Sequence, residues 1–223
     1  MINPPRLSYT ETLTIGLQHL FSGSKYYGYE KLKLINGGRR KWLDEDRHIS
    51  KETVVVSKGK FDRAESFKPD TKIRVYLSDI KDSLVSRRRF QIRLVDLRSP
   101  PEYTGHITSP PEYPTEHAQR AGHIPGAQNI AWAQVLNDDG TFKSAKELSD
   151  IYLSKEILPS NEVITYCRIG ERSSHSWFVL KYLLWYPDVK NYDGSWTEWG
   201  NLIGIPIEKE IILEAKTPMS PTR

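Results

Sequence analysis

Apolar and polar positions keep two rhythms along this chain, and both are clearest from about residue 73 to 212. IRVYL at 73–77 reads as a short strand, and SDIKDSLVSRRR at 78–89 sets its apolar residues on one helical face. QIRLVDLR at 91–98 is an apolar run ending in Asp96 and Arg98, as in a buried strand whose polar residues emerge at its C-terminal end. SPPEYTG at 99–105 predicts a short helix with Ser99 as N-cap and Pro100 just inside it. Residues 106–120 carry three prolines and no periodicity, which predicts a surface loop. GHIPGAQNI at 122–130 gives a turn and a short strand. SAKELSDIYLSKEI at 144–157 gives a second helix, with Ser144 and Glu147 as a capping box. NEVITY at 161–166 is the next strand. RSSHSWFVLKYLLWY at 172–186 is helical in length and apolar nearly all round, so it belongs between other elements. VKNYDG at 189–194 returns as strand and turn. The alternation predicts an α/β domain with a central, mainly parallel sheet flanked by helices.

An internal repeat adds to this organisation. Residues 27–42, YGYEKLKLINGGRRKW, align with the segment around 185–199 at an offset of 157 residues. Tyr29 falls on Tyr186, Asn36 on Asp193, Gly37 on Gly194 and Trp42 on Trp199. A strand, an acidic or amide residue, a turn glycine and a tryptophan thus occur twice. The start of a full first copy would precede Met1, and Thr10 takes the place of Cys167. The stretch from Met1 to about Ser24 does not resemble the later helix. The expected division is therefore a partial N-terminal copy at 1–45, a linker at 46–72, the main domain at 73–212 and a flexible tail at 213–223.

Composition narrows the class. A chain of 223 residues with 38% hydrophobic and 27% charged residues is globular and large enough to bury a core. One cysteine excludes an internal disulfide and fits a reducing compartment, so a cytoplasmic location is expected. The start lacks the pattern of a signal peptide, and the longest apolar run is too short to span a bilayer, so no membrane role is expected. The net charge is +4, and the clusters Arg39, Arg40, Lys41 and Arg87, Arg88, Arg89 are interspersed with acids. That reads as a solvated surface, not a nucleic-acid footprint, and it suits a small anionic substrate.

Cys167 stands between the strand 161–166 and the following helix, where α/β sheets place ligand sites. The loop Cys167, Arg168, Ile169, Gly170, Glu171, Arg172 runs into a helix starting near Arg172 or Ser173. Unpaired N–H groups at that start, with two guanidinium groups, would stabilise a thiolate. Gly170 lets the backbone curl around a ligand. Two chemistries use such a loop. Cysteine-dependent phosphatases separate Cys and Arg by five residues; here four intervene, and Glu171 would repel a phosphate dianion. The count favours sulfur transfer over a phosphatase or arsenate reductase; a noncatalytic sulfur carrier or binding module is the alternative from another class.

At this point the chain resembles the rhodanese superfamily, and in particular the two-domain thiosulfate sulfurtransferases. LVDLRSPPEY, GHIPGA, TYCRIGERSS and YDGSWTEWG occur in the family's order, and NGGRRKW resembles the end of the family's inactive N-terminal domain. The resemblance implies that the Cys167 thiolate attacks the outer sulfur of thiosulfate, sulfite leaves, and the persulfide sulfur passes to cyanide or a thiol. Arg168, Ile169, Gly170, Glu171, Arg172 and Ser173 are implied to hold the donor, with Arg172 at its sulfonate end. No cofactor or metal is implied. Some members carry an arginine where Glu102 stands and a lysine where Ile169 stands, so donor preference departs from the family pattern here. Arg168 argues against the mercaptopyruvate branch. A partial first copy predicts an exposed apolar face, with lost activity or self-association as consequences.

Outside the loop, Asp96 and Arg98 are expected to brace it as a pair. His123 and His175 lack a third ligand at metal-site spacing and read as structural. Trp196 and Trp199 read as core and cleft-wall residues.

Overall fold

The computed structural model describes residues 13–53, 55, 69–86, 91–111 and 117–210. The predicted strands form β1 (Arg74–Val75), β2 (Ile92–Asp96), β3 (Gln128–Asn129), β4 (Glu162–Tyr166) and β5 (Val189–Tyr192). These five strands pair in parallel throughout, in the order β1-β5-β4-β2-β3. The register of β2 on β4 sets Asp96 opposite Tyr166. The segments after these two residues therefore leave the same carboxyl edge side by side, and that edge carries the site.

The helices of the main domain are α3 (Leu77–Val85), α4 (Pro100–Thr104) and α5 (Ala145–Leu153), followed by α6 (Glu171–Phe178) and α7 (Ser195–Trp199). Their starts follow from local chemistry. The Ser144 amide and hydroxyl both donate to the Glu147 carboxylate at the head of α5, and Ser99 does the same to Glu102 at the head of α4. Side chains that alternate along the strands build a core on each face of the sheet. Val95, Val163 and Val189 pack with Trp177 and Leu180 on one face, and Leu94, Ile164 and Tyr192 with Trp196 and Trp199 on the other.

Three features add to the sequence reading. Asp96 and Arg98 reach the strand edge and are fully buried there. The helix expected at 172–186 is α6 continued by a π-helical turn over Val179–Leu183. It lies between the sheet and an N-terminal helix, as expected for a covered element, yet four consecutive polar residues, Ser173 to Ser176, are buried along it.

The third concerns the N-terminal segment, which holds α1 (Leu13–Tyr26) and α2 (Gly38–Asp44). Shifted by the repeat offset, α1 falls on 170–183, the place of α6 and its π turn, and α2 falls on the start of α7. A helix therefore stands at the place the repeat offset assigns to α6, although its sequence does not resemble the later one. Phe21 of α1 is buried against Phe178 and Tyr182, with ring centroids 5.2 and 5.4 Å away. The extended segment between α1 and α2 does not pair as a strand, and Tyr29 is 47% exposed where Tyr186 is 3%. Leu20, Tyr27 and Ile35 are exposed as well. The segment is anchored to the main domain by polar contacts: the Asn36 side chain accepts the Phe142 amide at 2.8 Å, and Lys41 pairs with Asp139 at 2.9 Å.

The turn glycines of the repeat differ in conformation. Gly37 is left-handed, whereas Gly194 is right-handed. One position later both copies are left-handed, Gly38 at φ 58° and Ser195 at φ 50°. Thr10, most of the linker, Arg87 to Arg89 and the tail at 213–223 lie outside the described residues.

Candidate active site

Cys167 follows β4 directly and is fully buried. The loop after it is fixed from behind by β5 and α7. The Cys167 carbonyl accepts the Trp196 amide at 3.0 Å, and the Arg168 carbonyl accepts the Thr197 amide and hydroxyl at 2.9 and 2.7 Å. The Gly170 carbonyl accepts Asn191 Nδ2 at 3.1 Å and the Ser174 amide at 3.3 Å. With these carbonyls turned away, the amides of residues 169–173 find no acceptor among the described residues. The last three head α6, where helix geometry leaves N–H groups unpaired. Such a ring of donors is an anion cradle.

Two backbone angles make this curl. Gly170, the N-cap of α6, has φ 84°, and a Cβ there would lie 2.8 Å from the Asp193 Cα. Ser195 holds its left-handed angle while its hydroxyl accepts the Cys167 amide at 3.1 Å and donates to the Tyr192 carbonyl at 2.7 Å. Sequence reasoning did not single out Ser195. Its place in the repeat, opposite a glycine, was the available signal.

The expected sulfonate ligand, Arg172, directs its two terminal nitrogens elsewhere. Nη1 and Nη2 donate to Glu102 Oε2 and Oε1 at 3.1 and 3.0 Å, a two-pronged pair with Glu102 fully buried. Burial works against the Arg172 charge, but the Glu102 hydrogen bonds and the neighbouring Cys167, Glu102 and Asp96 raise its pKa above the ordinary arginine value. Burial likewise works against the Glu102 charge, and Arg172, then Ser99, hold it below the usual carboxylate range. Arg168 is buried and does not face solvent. Ile169 is 40% exposed at the lip of the loop, Glu171 is partly exposed, and Ser173 is buried behind it.

Asp96 and Arg98 meet as a second buried pair, with Nη2 2.6 Å from Oδ2. Arg98 also donates to the Gly122 carbonyl and lies over the Trp196 ring at 4.4 Å. The pair thus reaches the loop through Trp196, whose amide holds the Cys167 carbonyl. Trp196 and Trp199 are both wholly buried. His123 stacks on Tyr103 at 3.7 Å and bonds its backbone carbonyl. His175 is buried against Trp132 and Phe142, and burial lowers its pKa to about 4. Among the described residues no group of three or more His, Cys, Asp or Glu is placed to hold a metal ion. None of the described helices is long and apolar enough to cross a membrane.

A family model of the rhodanese-like domain matches residues 78–202. The chain belongs to the rhodanese superfamily. The sulfur carrier protein TtuD of Thermus thermophilus is 52% identical to this chain over 185 residues, covering 83% of this chain and 64% of that protein. A Haloferax volcanii protein named "Putative thiosulfate sulfurtransferase" is 49% identical over 185 residues, covering 83% of this chain and 62% of its own length. The chain thus spans a little under two thirds of these curated relatives. Among solved structures, an EanB variant with a cysteine persulfide, in a tetrahedral intermediate state with ergothioneine, matches with a TM-score of 0.75 and 29% identity. That match covers 88% of this chain and 46% of the other.

Proposed function

We propose that this chain is a sulfurtransferase that carries sulfane sulfur as a Cys167 persulfide. The observation that carries the reading is the loop itself: a cysteine at one end, carbonyls tied back to 191–197, and the amides of 169–173 left without an acceptor. The Cys167 thiolate attacks the outer sulfur of thiosulfate, the S–S bond breaks, and sulfite leaves with the bonding pair. The loop amides stabilise the persulfide anion, and cyanide or a thiol then attacks its outer sulfur, returning the thiolate. Sulfur transfer of this kind agrees with the names of the Thermus and Haloferax relatives.

The same reading assigns 73–212 to the catalytic domain, 1–45 to the end of an inactive first copy and a cytoplasmic location to the single free thiol. Self-association would involve the exposed Leu20, Tyr27, Tyr29 and Ile35. Incubation with thiosulfate followed by intact-mass measurement is expected to add one sulfur atom, and Cys167→Ser to abolish the gain. No adduct, together with hydrolysis of a phenyl phosphate, would overturn the reading in favour of a phosphatase. An adduct that turns over with no small acceptor but leaves for a protein thiol would make the chain a sulfur carrier, the role in the Thermus relative's name.

A further inference from the structure

We propose that Glu102 sets the anion affinity of the catalytic loop by withdrawing the Arg172 guanidinium from it; this rests on the loop being the donor site. Arg172 closes the loop that begins at Cys167, the place from which a guanidinium could clamp a sulfonate. Both of its terminal nitrogens instead meet the Glu102 carboxylate, at 3.0 and 3.1 Å. Glu102 is not free to turn away. It is fully buried, and its Oε2 also accepts the Ser99 amide at 3.0 Å and the Ser99 hydroxyl at 2.8 Å. Separating the pair would leave a buried carboxylate with two missing donors, which is strongly unfavourable.

The surrounding side chains strengthen the point. Glu171 adds a further carboxylate to the loop, and the residue at its lip, Ile169, is apolar and exposed. The charge of Arg172 is neutralised by Glu102, so its guanidinium adds little to what the backbone amides of 169–173 offer an anion. Amides suit the single charge of a persulfide held on Cys167. A doubly charged sulfite is held weakly, which favours its departure once the S–S bond has broken. Glu102 is thus a positioning residue that trades donor affinity for product release, and it acts through Arg172.

Inorganic sulfate serves as the probe, read by its protection of Cys167 from alkylation by iodoacetamide across a pH series. In Glu102→Gln, Arg172 is no longer neutralised. Sulfate protection is expected to tighten about threefold or more, and the alkylation midpoint to move to lower pH. Glu102→Gln/Arg172→Gln is expected to lose both gains. If Glu102 merely fastened α4, Glu102→Gln would loosen the loop and weaken sulfate protection, and that result overturns the proposal. A sulfate-soaked crystal of the unaltered chain tests the point without a variant. Sulfate seated on Arg172 overturns the proposal, whereas sulfate on the amides alone, or none at the loop, agrees with it. Persulfide formation from thiosulfate is scored separately, so its failure would remove the sulfurtransferase reading while the sulfate result still reports on Glu102.

Discussion

The amide of Cys167 donates to the hydroxyl of Ser195, 28 residues along the chain, and Ser195 makes this contact from a left-handed backbone with φ 50°. A left-handed serine costs on the order of 1 kcal/mol. Ser195→Gly is expected to relieve that cost while removing a hydrogen bond of about the same size, leaving stability within about 1 kcal/mol of the parent. The Cys167 amide then loses its acceptor and the loop its register. The rate of persulfide formation is expected to fall about tenfold or more, measured by stopped mass sampling alongside urea unfolding. Wild-type rates in a folded Ser195→Gly variant would show that the hydroxyl contributes nothing to the site.

Gly170→Ala tests the curl of the loop. The added Cβ would meet the Asp193 backbone at 2.8 Å, at a φ of 84° that alanine resists. A loss of about 1–3 kcal/mol in stability is expected, with persulfide formation reduced further than stability alone explains. Thermal unfolding and the thiosulfate mass assay check the two parts.

Acid sensitivity is expected to trace to His175. Burial lowers its pKa to about 4 in the folded chain, against about 6.5 for an ordinary histidine. As pH falls below about 6.5 the unfolded chain takes up the proton while the folded chain does not. Stability contributed by the neutral ring is therefore complete above that pH and lost progressively towards pH 4, by up to about 1.4 kcal/mol per pH unit. Urea unfolding at pH 7 and pH 5 should show this loss, and His175→Leu should remove most of the difference. An unchanged slope in the variant would assign it to other groups.

Phe21 tests whether the N-terminal segment is part of the folded unit. It is 6% exposed, with edge-on contacts to Phe178 and Tyr182. Phe21→Ala is expected to cost about 3 kcal/mol if α1 unfolds together with the main domain. A drop in thermal midpoint of several degrees in one cooperative transition would show this. An early, separate transition would show that α1 is only loosely docked.

Much of the main domain was legible in the sequence because its signals are local. Strands β2 and β4 are apolar runs, Ser144 and Glu147 announce a helix start, and Cys167 and Arg172 sit in one short loop. The partner of Arg172 was not legible, because Glu102 is 70 residues away and becomes its neighbour through the pairing of β2 with β4. The spacing of Ser99 and Glu102 gave half the signal: a capping box places that carboxylate at the edge where the cysteine loop emerges. The covering of 172–186 on both sides was legible from its apolar residues, whereas the element on its outer side, helix α1, was not. Helix α1 was not read from the sequence because its residues do not resemble those of α6.

The packing of α1 has a consequence for assembly. Helix α1 lies against α6 and buries Phe21 there. An interface between two elements of one chain can be completed equally well by the same element from a second copy. The contact through Phe21 is thus both an intramolecular clasp and a template for exchange. At high concentration, two chains that trade α1 would retain every contact of the monomer while gaining a dimer.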